Sequence, residues 1–353
     1  MSSTRLIRID RNGGAGTLSV QRQSSSRQPA ANEVTIDVAY SGLNFADIQM
    51  RLGFYPDAPK KPFVPGYEVS GRVVEVGEGV RDFVVGDPVI AGLYFGGYAS
   101  RVTVPARQLL PLPPGVSLAE GAAMPVAFFT AHLALHEMGR VRSGDRVLIE
   151  CATGGVGTIA VQMAVAEGAE VTGLTTSPDK RPYIEALGAR ALTREAFEKD
   201  PSEHGYDFIL NASGGASVRP QLGRLGMTGR MVLIGLSSGV ENGRWNPLKF
   251  GLAALRMPRL SALGLIDRNA GVFGLNALHI LQSETWIERL TAAFRRADQS
   301  TLRPHVDRIF PADQVAAAHR YLETKQARGK ILLAWPDAGR LAEYEAAAAA
   351  SHG

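Results

Sequence analysis

Short runs of β-branched and apolar residues, separated by turn residues, fill the first third of the chain. Gly, Pro and Asp mark the turns, as at 77–79 and 86–88. Such spacing is typical of a compact β domain that forms a closed or partly open barrel. The predicted strands cover residues 34–40, 71–76, 88–91 and 99–104.

The pattern changes near residue 118, where apolar positions begin to recur at helical spacing. Residues 118–138 predict a helix, and alternating strands and helices follow. This order predicts a parallel, doubly wound sheet. Its strands are expected at 146–150, 170–175, 207–212 and 231–235, with later ones within 259–273; amphipathic helices at 286–296 and 312–327 precede a last strand at 330–335.

A cluster of glycines follows the first of these parallel strands and opens a helix. Gly154 leaves room for a dinucleotide pyrophosphate to approach the backbone, and Gly157 lets the helix pack closely on the strand. The helix N-terminus then presents free N–H groups to the anion. Ala152 stands where the usual G-x-G-x-x-G pattern has its first glycine, so the alternative is an ordinary glycine-rich turn. The βαβ context favours a dinucleotide site.

The end of the second parallel strand indicates which dinucleotide is bound. NAD-selective sites place Asp or Glu about 20 residues beyond the glycines, to bind the ribose 2′-hydroxyl. Thr175 occupies that place here, and Lys180 and Arg181 follow it. Hydroxyl groups and two cations suit a 2′-phosphate, so the pattern favours NADPH over NADH. The alternative is that both cations are merely solvent-exposed residues at the start of the next helix.

Composition narrows the functional classes. The chain has 353 residues, 45% of them hydrophobic, which suits two ordinary globular domains. The net charge is +4, and acidic residues lie between the basic ones along the chain. We therefore expect no surface that binds nucleic acid. The one cysteine, Cys151, excludes a disulfide framework and a four-cysteine zinc site. No apolar run is long enough to span a bilayer and no signal-peptide pattern is present, so we expect a cytoplasmic protein.

Segments spread along the chain carry a resemblance to a known family. They are residues 42–47, 51–56, 65–71, 96–98, 152–157, 302–307 and 329–333. In this order they resemble the medium-chain dehydrogenase/reductase superfamily. Within it, they resemble the zinc-independent quinone oxidoreductase branch, and especially the subgroup like the vesicle amine transport protein.

The resemblance implies an α/β architecture in which a Rossmann domain is inserted into a partly open, GroES-like β-barrel. Residues 1–124 and 277–353 then form the catalytic domain, and residues 125–276 form the NADPH-binding domain, with the active site in the cleft between the two. Members of the family are commonly homodimers, often joined through the last strand of the nucleotide domain, which lies near 263–273 in this chain.

Two departures from the family pattern bear on metal binding. Zinc-dependent relatives have a cysteine where this chain has Asn44, and a histidine where it has Tyr67. Without these ligands a zinc ion has no adequate set of protein donors. We therefore expect no metal and no alcohol oxidation assisted by a Lewis acid.

Conjugate reduction is the chemistry that suits such a site. Hydride adds to the β-carbon of an enone, enoyl ester or quinone, and neutral donors stabilise the charge that reaches the carbonyl oxygen. Asn44 is a candidate donor, and Tyr55 matches the tyrosine that related enoyl reductases carry for proton delivery; Tyr67 would line the same pocket. The alternatives are that Asn44 caps the helix beginning at Phe45, that Tyr55 packs in a turn and that Tyr67 belongs to the core.

Further cofactor contacts are expected at the glycine turn and at the carboxyl ends of the parallel strands, where ligands gather. By resemblance, Thr130 contacts the nicotinamide side. Lys330 follows Gly329 in a position from which it can close over the cofactor; the alternative for Lys330 is an exposed lysine at a strand start. Acidic residues at the positions of Asp47 and Glu68 more often form structural hydrogen bonds to the neighbouring backbone than act as general acids. The full predicted cofactor-binding set is Thr130, Ala152, Gly154, Gly155, Val156, Gly157, Thr175, Thr176, Ser177, Lys180, Asn211, Gly235, Ser237 and Lys330.

These features lead to one main functional hypothesis. The protein is expected to be an NADPH-dependent oxidoreductase that reduces an activated C=C bond in a quinone, enone or enoyl substrate; an enoyl reductase of natural-product metabolism is a specific version. The alternative is a cofactor-binding interaction or structural protein of the same fold with little catalytic activity. Retention of Asn44 and Tyr55 favours the enzyme.

Overall fold

The computed structural model describes residues 4–23, 27–235, 240–241, 244–245, 251, 257–297 and 302–335. This part of the chain divides into two compact units: one joins the residues up to Val126 with those from His305 onward, and the other runs from Ala127 to Pro304. The second boundary differs from the expected 276/277. The difference arises because the helix Glu284–Arg296 packs in the second unit, where the ring of Phe294 lies 4.9 Å from that of Phe128.

Strands and short helices follow one another along the described part of the chain. Numbered in chain order, the strands are β1 (Thr4–Ile7), β2 (Val20–Gln23), β3 (Glu33–Gly42), β4 (Glu68–Val76), β5 (Pro88–Gly92), β6 (Arg101–Pro105), β7 (Leu109–Pro111), β8 (Arg146–Ile149), β9 (Glu170–Thr175), β10 (Arg190–Thr193), β11 (Tyr206–Asn211), β12 (Leu225–Leu233), β13 (Val240–Glu241), β14 (Arg244–Trp245), β15 (Gly271–Gly274), β16 (Val306–Pro311) and β17 (Lys330–Ala334). The α-helices are Phe45–Leu52, Leu118–Ala122, Pro125–His132, Gly155–Ala166, Arg181–Ala186, Arg194–Lys199, Val218–Leu222, Ala262–Arg268, Ala277–Ile280, Glu284–Arg296 and Val315–Glu323, and Leu133–Gly139 is a π-helix.

The first unit is built on a mostly antiparallel sheet. Within the described residues its order is β16-β17-β3-β4-β5-β7, and β6 also pairs with β3. The C-terminal strand β17 lies directly beside β3, with Leu332 opposite Gly42. Sequence-distant ends of the chain therefore meet in one sheet, as the GroES-like architecture requires.

The second unit is a parallel sheet with helices between successive strands. Over the described part its order is β10-β9-β8-β11-β12-β15, which is the doubly wound order 3-2-1-4-5-6 when its strands are counted in sequence. Its central strands are buried on both faces, which explains their continuous apolar runs; the core includes Leu148, Leu174, Ile209 and Met231. The predicted fold class is confirmed.

The stretch 259–273 was expected to contribute later strands of the parallel sheet, and β15 is such a strand near its end. A helix, Ala262–Arg268, precedes the strand β15. Its start is fixed by Ser261, whose side chain accepts a hydrogen bond from the backbone N–H of Gly264 (3.1 Å), and its end by Asn269 in the left-handed conformation.

Within the described residues, no helix is both long enough and apolar enough to cross a membrane.

Substitution of Gly157 tests how closely the glycine-rich helix packs against the turn that follows β8. A Cβ atom at this position would lie 2.1 Å from the backbone oxygen of Cys151, which cannot move away as a flexible side chain would. We therefore expect Gly157→Ala to lower the free energy of unfolding by about 1–3 kcal/mol, the usual cost of overpacking. Urea denaturation measures this loss. Gly14→Ala is the control, because a Cβ there meets nothing within 4 Å; equal stability of the two variants would contradict the packing argument.

Candidate functional site

The glycine turn of the second unit has the geometry of a helix start that is open to an anion. β8 ends at Ile149, and Gly154 is the N-cap residue of the helix Gly155–Ala166. Thr158 is the first residue of this helix whose backbone N–H bonds back to the turn, to Gly154 O at 2.8 Å. The N–H groups before it have no partner within the helix, as at any helix start, and they are suited to binding a pyrophosphate.

The structure explains how Ala152 replaces the first glycine of the pattern. Ala152 is fully buried, and its backbone N–H donates to Leu174 O at 3.0 Å. Its methyl group faces Gly173 of β9, where an added Cβ would lie only 2.8 Å from the Ala152 Cβ. Gly173 therefore makes the room that an alanine in this turn requires.

Two cationic residues follow β9, and one of them is buried while the other is exposed. Lys180 is only 6% exposed, so it does not merely solvate the following helix. Arg181 does lie at the surface, where it bonds Glu185 at 3.5 Å. Thr175 is buried, and its hydroxyl accepts the backbone N–H of Ser177 at 3.3 Å; Thr176 is exposed. Lys180 and Ser177 thus flank a tight turn at the carboxyl end of β9.

Sequence reasoning missed a buried carboxylate at the same edge of the sheet. Glu150 follows β8 directly and is 1% exposed. It accepts the backbone N–H groups of Ala212 (3.0 Å) and Ser213 (2.9 Å), and it pairs with Arg194 at 2.8 Å. It therefore ties together the loops that follow β8, β10 and β11. The signal was present in the sequence, as an acid at the end of an apolar strand.

The other residues of this unit that were predicted to contact the cofactor differ in their burial and in their hydrogen bonds. Asn211 ends β11 as expected, but its side chain bonds Ser217, Gln221 and the backbone N–H of Gly214, each at 2.8 Å. Gly235 lies exposed just beyond β12, and Thr130 is buried in the helix Pro125–His132. Ser237 lies outside the described residues. Asn211 thus shapes the loop beside the strand end.

The first unit brings together two residues that were predicted for different roles, Asn44 and Lys330. The Lys330 ammonium donates to Asn44 Oδ1 at 2.8 Å and to Leu43 O at 2.9 Å, and it forms an ion pair with Glu68. The Asn44 amide donates to Glu68 Oε1 at 2.9 Å. Lys330 is therefore not an exposed lysine at a strand start. It is the buried partner of Glu68, and both hold Asn44.

Asn44 is also the N-cap residue of the helix Phe45–Leu52, so the capping alternative holds beside the site role. Asp47 closes the capping box by accepting the Asn44 backbone N–H at 2.7 Å. Asp47 is fully buried, and burial raises its pKa to about 7. Asp47 and Glu68 both bond backbone N–H groups, which agrees with an architectural role; the second oxygen of Glu68 accepts from Val126 at 2.9 Å.

A buried polar chain that the sequence did not indicate extends from Asp47. The Tyr98 hydroxyl donates to Asp47 Oδ2 at 3.1 Å and lies 3.3 Å from Nε2 of His319. His319 is fully buried, and burial, followed by the nearby Arg51 cation, lowers its pKa to about 3. The imidazole is therefore neutral at ordinary pH. The helix Val315–Glu323 thereby places its histidine against the helix that begins beside Asn44.

Tyr55 and Tyr67 lie together in an aromatic cluster. Their ring centroids are 6.4 Å apart in an edge arrangement, and Tyr67 lies 5.5 Å from Phe95. Burial raises the pKa of both phenols, so both are neutral at physiological pH. Tyr67 is buried and contacts Met50 through its hydroxyl (3.6 Å), whereas Tyr55 is partly exposed. Tyr67 thus combines the core role with the lining role, and Tyr55 is the accessible phenol of the pair.

The residues at the positions of the zinc ligands do not fit a zinc ion. They offer a neutral amide at Asn44 and a neutral phenol at Tyr67, and the carboxylate of Glu68 is already paired with Lys330. Zinc in proteins is held by thiolate, imidazole or free carboxylate groups. In the part of the chain that the structure describes, no three His, Cys, Asp or Glu side chains are grouped to hold a metal.

Comparisons with known proteins agree with this architecture. Two family models match, the alcohol dehydrogenase GroES-like domain over residues 30–114 and the zinc-binding dehydrogenase over residues 188–333. The synaptic vesicle membrane protein VAT-1 homolog of Homo sapiens is 31% identical over 334 residues, which cover 91% of this chain and 84% of that protein.

Solved structures give the same result. The CurK enoyl reductase matches with a TM-score of 0.79 at 28% identity, covering 95% of this chain and 100% of that one. The quinone oxidoreductase of Thermus thermophilus, solved also as a complex with NADPH, matches with a TM-score of 0.77 at 33% identity, covering 94% and 99%. The chain therefore belongs to the medium-chain dehydrogenase/reductase superfamily, in its zinc-independent quinone oxidoreductase branch.

The pKa of His319 gives a test of the buried polar chain. Because the pKa falls from 6.5 to about 3 on folding, the unfolded state binds a proton that the folded state does not between these pH values. The contribution of His319 to the free energy of unfolding is at its full value above pH 6.5. Below that pH the contribution falls with the pH, by about 1.4 kcal/mol per pH unit once the histidine of the unfolded state is charged. We expect His319→Gln to lack this loss in urea denaturation between pH 6.5 and 4.

The comparison isolates the histidine because Asp47 is present in both proteins. Its raised pKa acts in the opposite direction, lowering stability as the pH rises from about 4 to about 7. Wild type and His319→Gln losing stability in parallel over the acid range would show that the imidazole is not held neutral.

Proposed function

We propose that this protein is an NADPH-dependent, zinc-independent reductase of an activated C=C bond in a quinone, enone or enoyl substrate. One observation carries the proposal. At the position of a zinc ligand, the Asn44 amide is held by a buried ion pair, Lys330 with Glu68. A hydrogen-bond donor fixed in place suits a carbonyl oxygen that gains negative charge. The names of two similar structures, an enoyl reductase and a quinone oxidoreductase solved with NADPH, support the same reaction class.

NADPH fits the second unit. The turn 154–157 and the helix that follows would hold its pyrophosphate, and Lys180 would hold the 2′-phosphate, since β9 ends at Thr175 and not at the Asp or Glu of NAD-selective sites. The Ser177 hydroxyl donates to the carboxylate of Asp179, and a contact between Ser177 and the phosphate would replace this hydrogen bond. When bound, NADPH supplies a hydride at its nicotinamide.

The residues of the first unit would handle the charge and the proton. As the β-carbon of the substrate gains the hydride, the electron pair of the C=C bond moves toward the carbonyl oxygen, where the N–H of Asn44 stabilises it. Tyr55 is the proton source for the α-carbon or, in a quinone, for the oxygen; in the quinone the ring carbon that gained the hydride then loses a proton and the second carbonyl oxygen gains one, which gives the quinol. Its phenol is neutral and partly exposed, and solvent returns the proton. The products are the saturated carbonyl compound or quinol and NADP⁺.

Anaerobic NADPH oxidation with a panel of quinones, enones and enoyl thioesters tests the reaction. We expect turnover with at least one acceptor class, a loss in kcat of roughly 100-fold or more for Asn44→Ala, and a loss of about 100-fold for Tyr55→Phe. Both variants should bind NADPH as wild type does. Tight NADPH binding without turnover of any acceptor would overturn the proposal and favour a cofactor-binding interaction protein.

Lys180→Ala tests the cofactor preference. A buried cation at the 2′-phosphate adds affinity for NADPH and none for NADH, so the variant should bind NADPH at least 10-fold more weakly, the equivalent of about 1.4 kcal/mol, and NADH unchanged. Fluorescence titration with both dinucleotides measures this. Lys199→Ala is the matched control, since that lysine pairs with Glu195 at the surface. Equal affinities for the two dinucleotides in wild type would contradict the preference.

We also propose that two copies associate through the edge of the parallel sheet. β15 pairs with β12 on one side, and the helix that precedes it in sequence exposes apolar side chains, Leu263 by 78% and Ile266 by 69%. Sedimentation velocity should show a dimer for wild type and a monomer for the double variant Leu263→Asp/Ile266→Asp. Val84→Asp, at an exposed apolar residue of the other unit, is the control. A monomeric wild type would refute the dimer.

A further inference from the structure

The orientation of the Asn44 amide is fixed by its two charged neighbours. An ammonium group can only donate and an ionised carboxylate can only accept. Lys330 Nζ lies 2.8 Å from one terminal atom of the amide, and Glu68 Oε1 lies 2.9 Å from the other. The first atom must therefore be the oxygen and the second the nitrogen. No other assignment of the amide satisfies both contacts.

Lys330 has no proton left to donate to a ligand. The three protons of Lys330 go to Leu43 O, Asn44 Oδ1 and Glu68, and its side chain is 5% exposed. Glu68 uses its second oxygen to accept the backbone N–H of Val126. Gly42 keeps the space open, since a Cβ there would lie 2.5 Å from Glu68 Oε1. The pair is therefore built to act on Asn44, not on the cofactor.

One polar group of Asn44 remains for a substrate. The amide nitrogen carries two N–H groups, and Glu68 accepts one of them. Asn44 is partly exposed, whereas Glu68 is fully buried. A free amide can turn about its Cβ–Cγ bond and present either oxygen or nitrogen, and the oxygen would repel a developing oxyanion. With Lys330 and Glu68 in place, Asn44 can present only a donor.

We propose that Lys330 and Glu68 are positioning residues that set the Asn44 amide as a hydrogen-bond donor to the carbonyl oxygen of the substrate. This role rests on the proposed function. It differs from a contact between Lys330 and the cofactor, since it predicts an effect on turnover that passes through Asn44 and leaves NADPH binding unchanged.

A double-mutant cycle tests the coupling. Lys330→Met should lower kcat roughly 10- to 100-fold, a fraction of what loss of an oxyanion donor costs, with the Kd for NADPH unchanged. In the Asn44→Ala background the same substitution should cost less than about twofold, because the residue through which Lys330 acts is gone. Equal losses in both backgrounds, or a weakened Kd for NADPH that accounts for the loss, would overturn the proposal.

Removal of Lys330 alone leaves a buried carboxylate without its partner, which can prevent folding. Glu68→Gln/Lys330→Met removes both charges and should show the same loss in kcat. If this variant turns over its substrate like wild type, the proposal fails. A wild type that turns over no acceptor would instead refute the proposed function itself.

NMR of protein labelled with ¹³C,¹⁵N-asparagine tests the orientation without any turnover. The side-chain signal that disappears in Asn44→Ala identifies the amide. In wild type its protons should exchange slowly with water, and in Glu68→Gln/Lys330→Met the carbonyl carbon should shift and the protons should exchange faster. An Asn44 signal identical in the two proteins would overturn the proposal whatever the enzyme assays give.

Discussion

The buried ion pair between Lys330 and Glu68 is the interaction on which the first unit depends. Each charge is removed from water at a high cost, which only close pairing and full hydrogen bonding offset. The pair can form only if β17, from the C-terminal part of the chain, lies beside β3, which in turn pairs with β4 from the N-terminal part. The division of this unit in sequence and the placement of Asn44 thus have one physical cause.

The second unit depends on steric constraints at the carboxyl edge of its sheet. Gly157 lets the glycine-rich helix approach the backbone after β8, and Gly173 leaves room for the methyl group of Ala152. The carboxylate of Glu150 then gathers the loops that follow neighbouring strands. A departure from the usual glycine pattern is therefore compensated on the adjacent strand, and the helix N-terminus keeps the form that a dinucleotide requires.

The sequence predicted the elements whose signal is local. Continuous apolar strands and the glycine turn led to the doubly wound sheet, and the ordered motifs led to the family, because periodicity and turn chemistry act over a few residues. The contacts that hold the site are not local. Asn44 and Lys330 are far apart in sequence, as are Tyr98 and His319, and nothing in either neighbourhood indicates its partner. The contacts of Lys330 with Asn44 and Glu68 were not predicted for that reason. The helix within 259–273 was missed because its start depends on one side chain, Ser261.

Deuterium transfer from [4-²H]NADPH to an enone, followed by NMR and mass spectrometry of the product, tests the metal-free conjugate reduction most directly. The protein should first be freed of metal by a chelator and its zinc content measured. The chemistry inferred from Asn44 and Tyr55 predicts deuterium at the β-carbon of a saturated ketone at an undiminished rate. Deuterium at the carbonyl carbon of an alcohol, or turnover that requires added zinc, would contradict it.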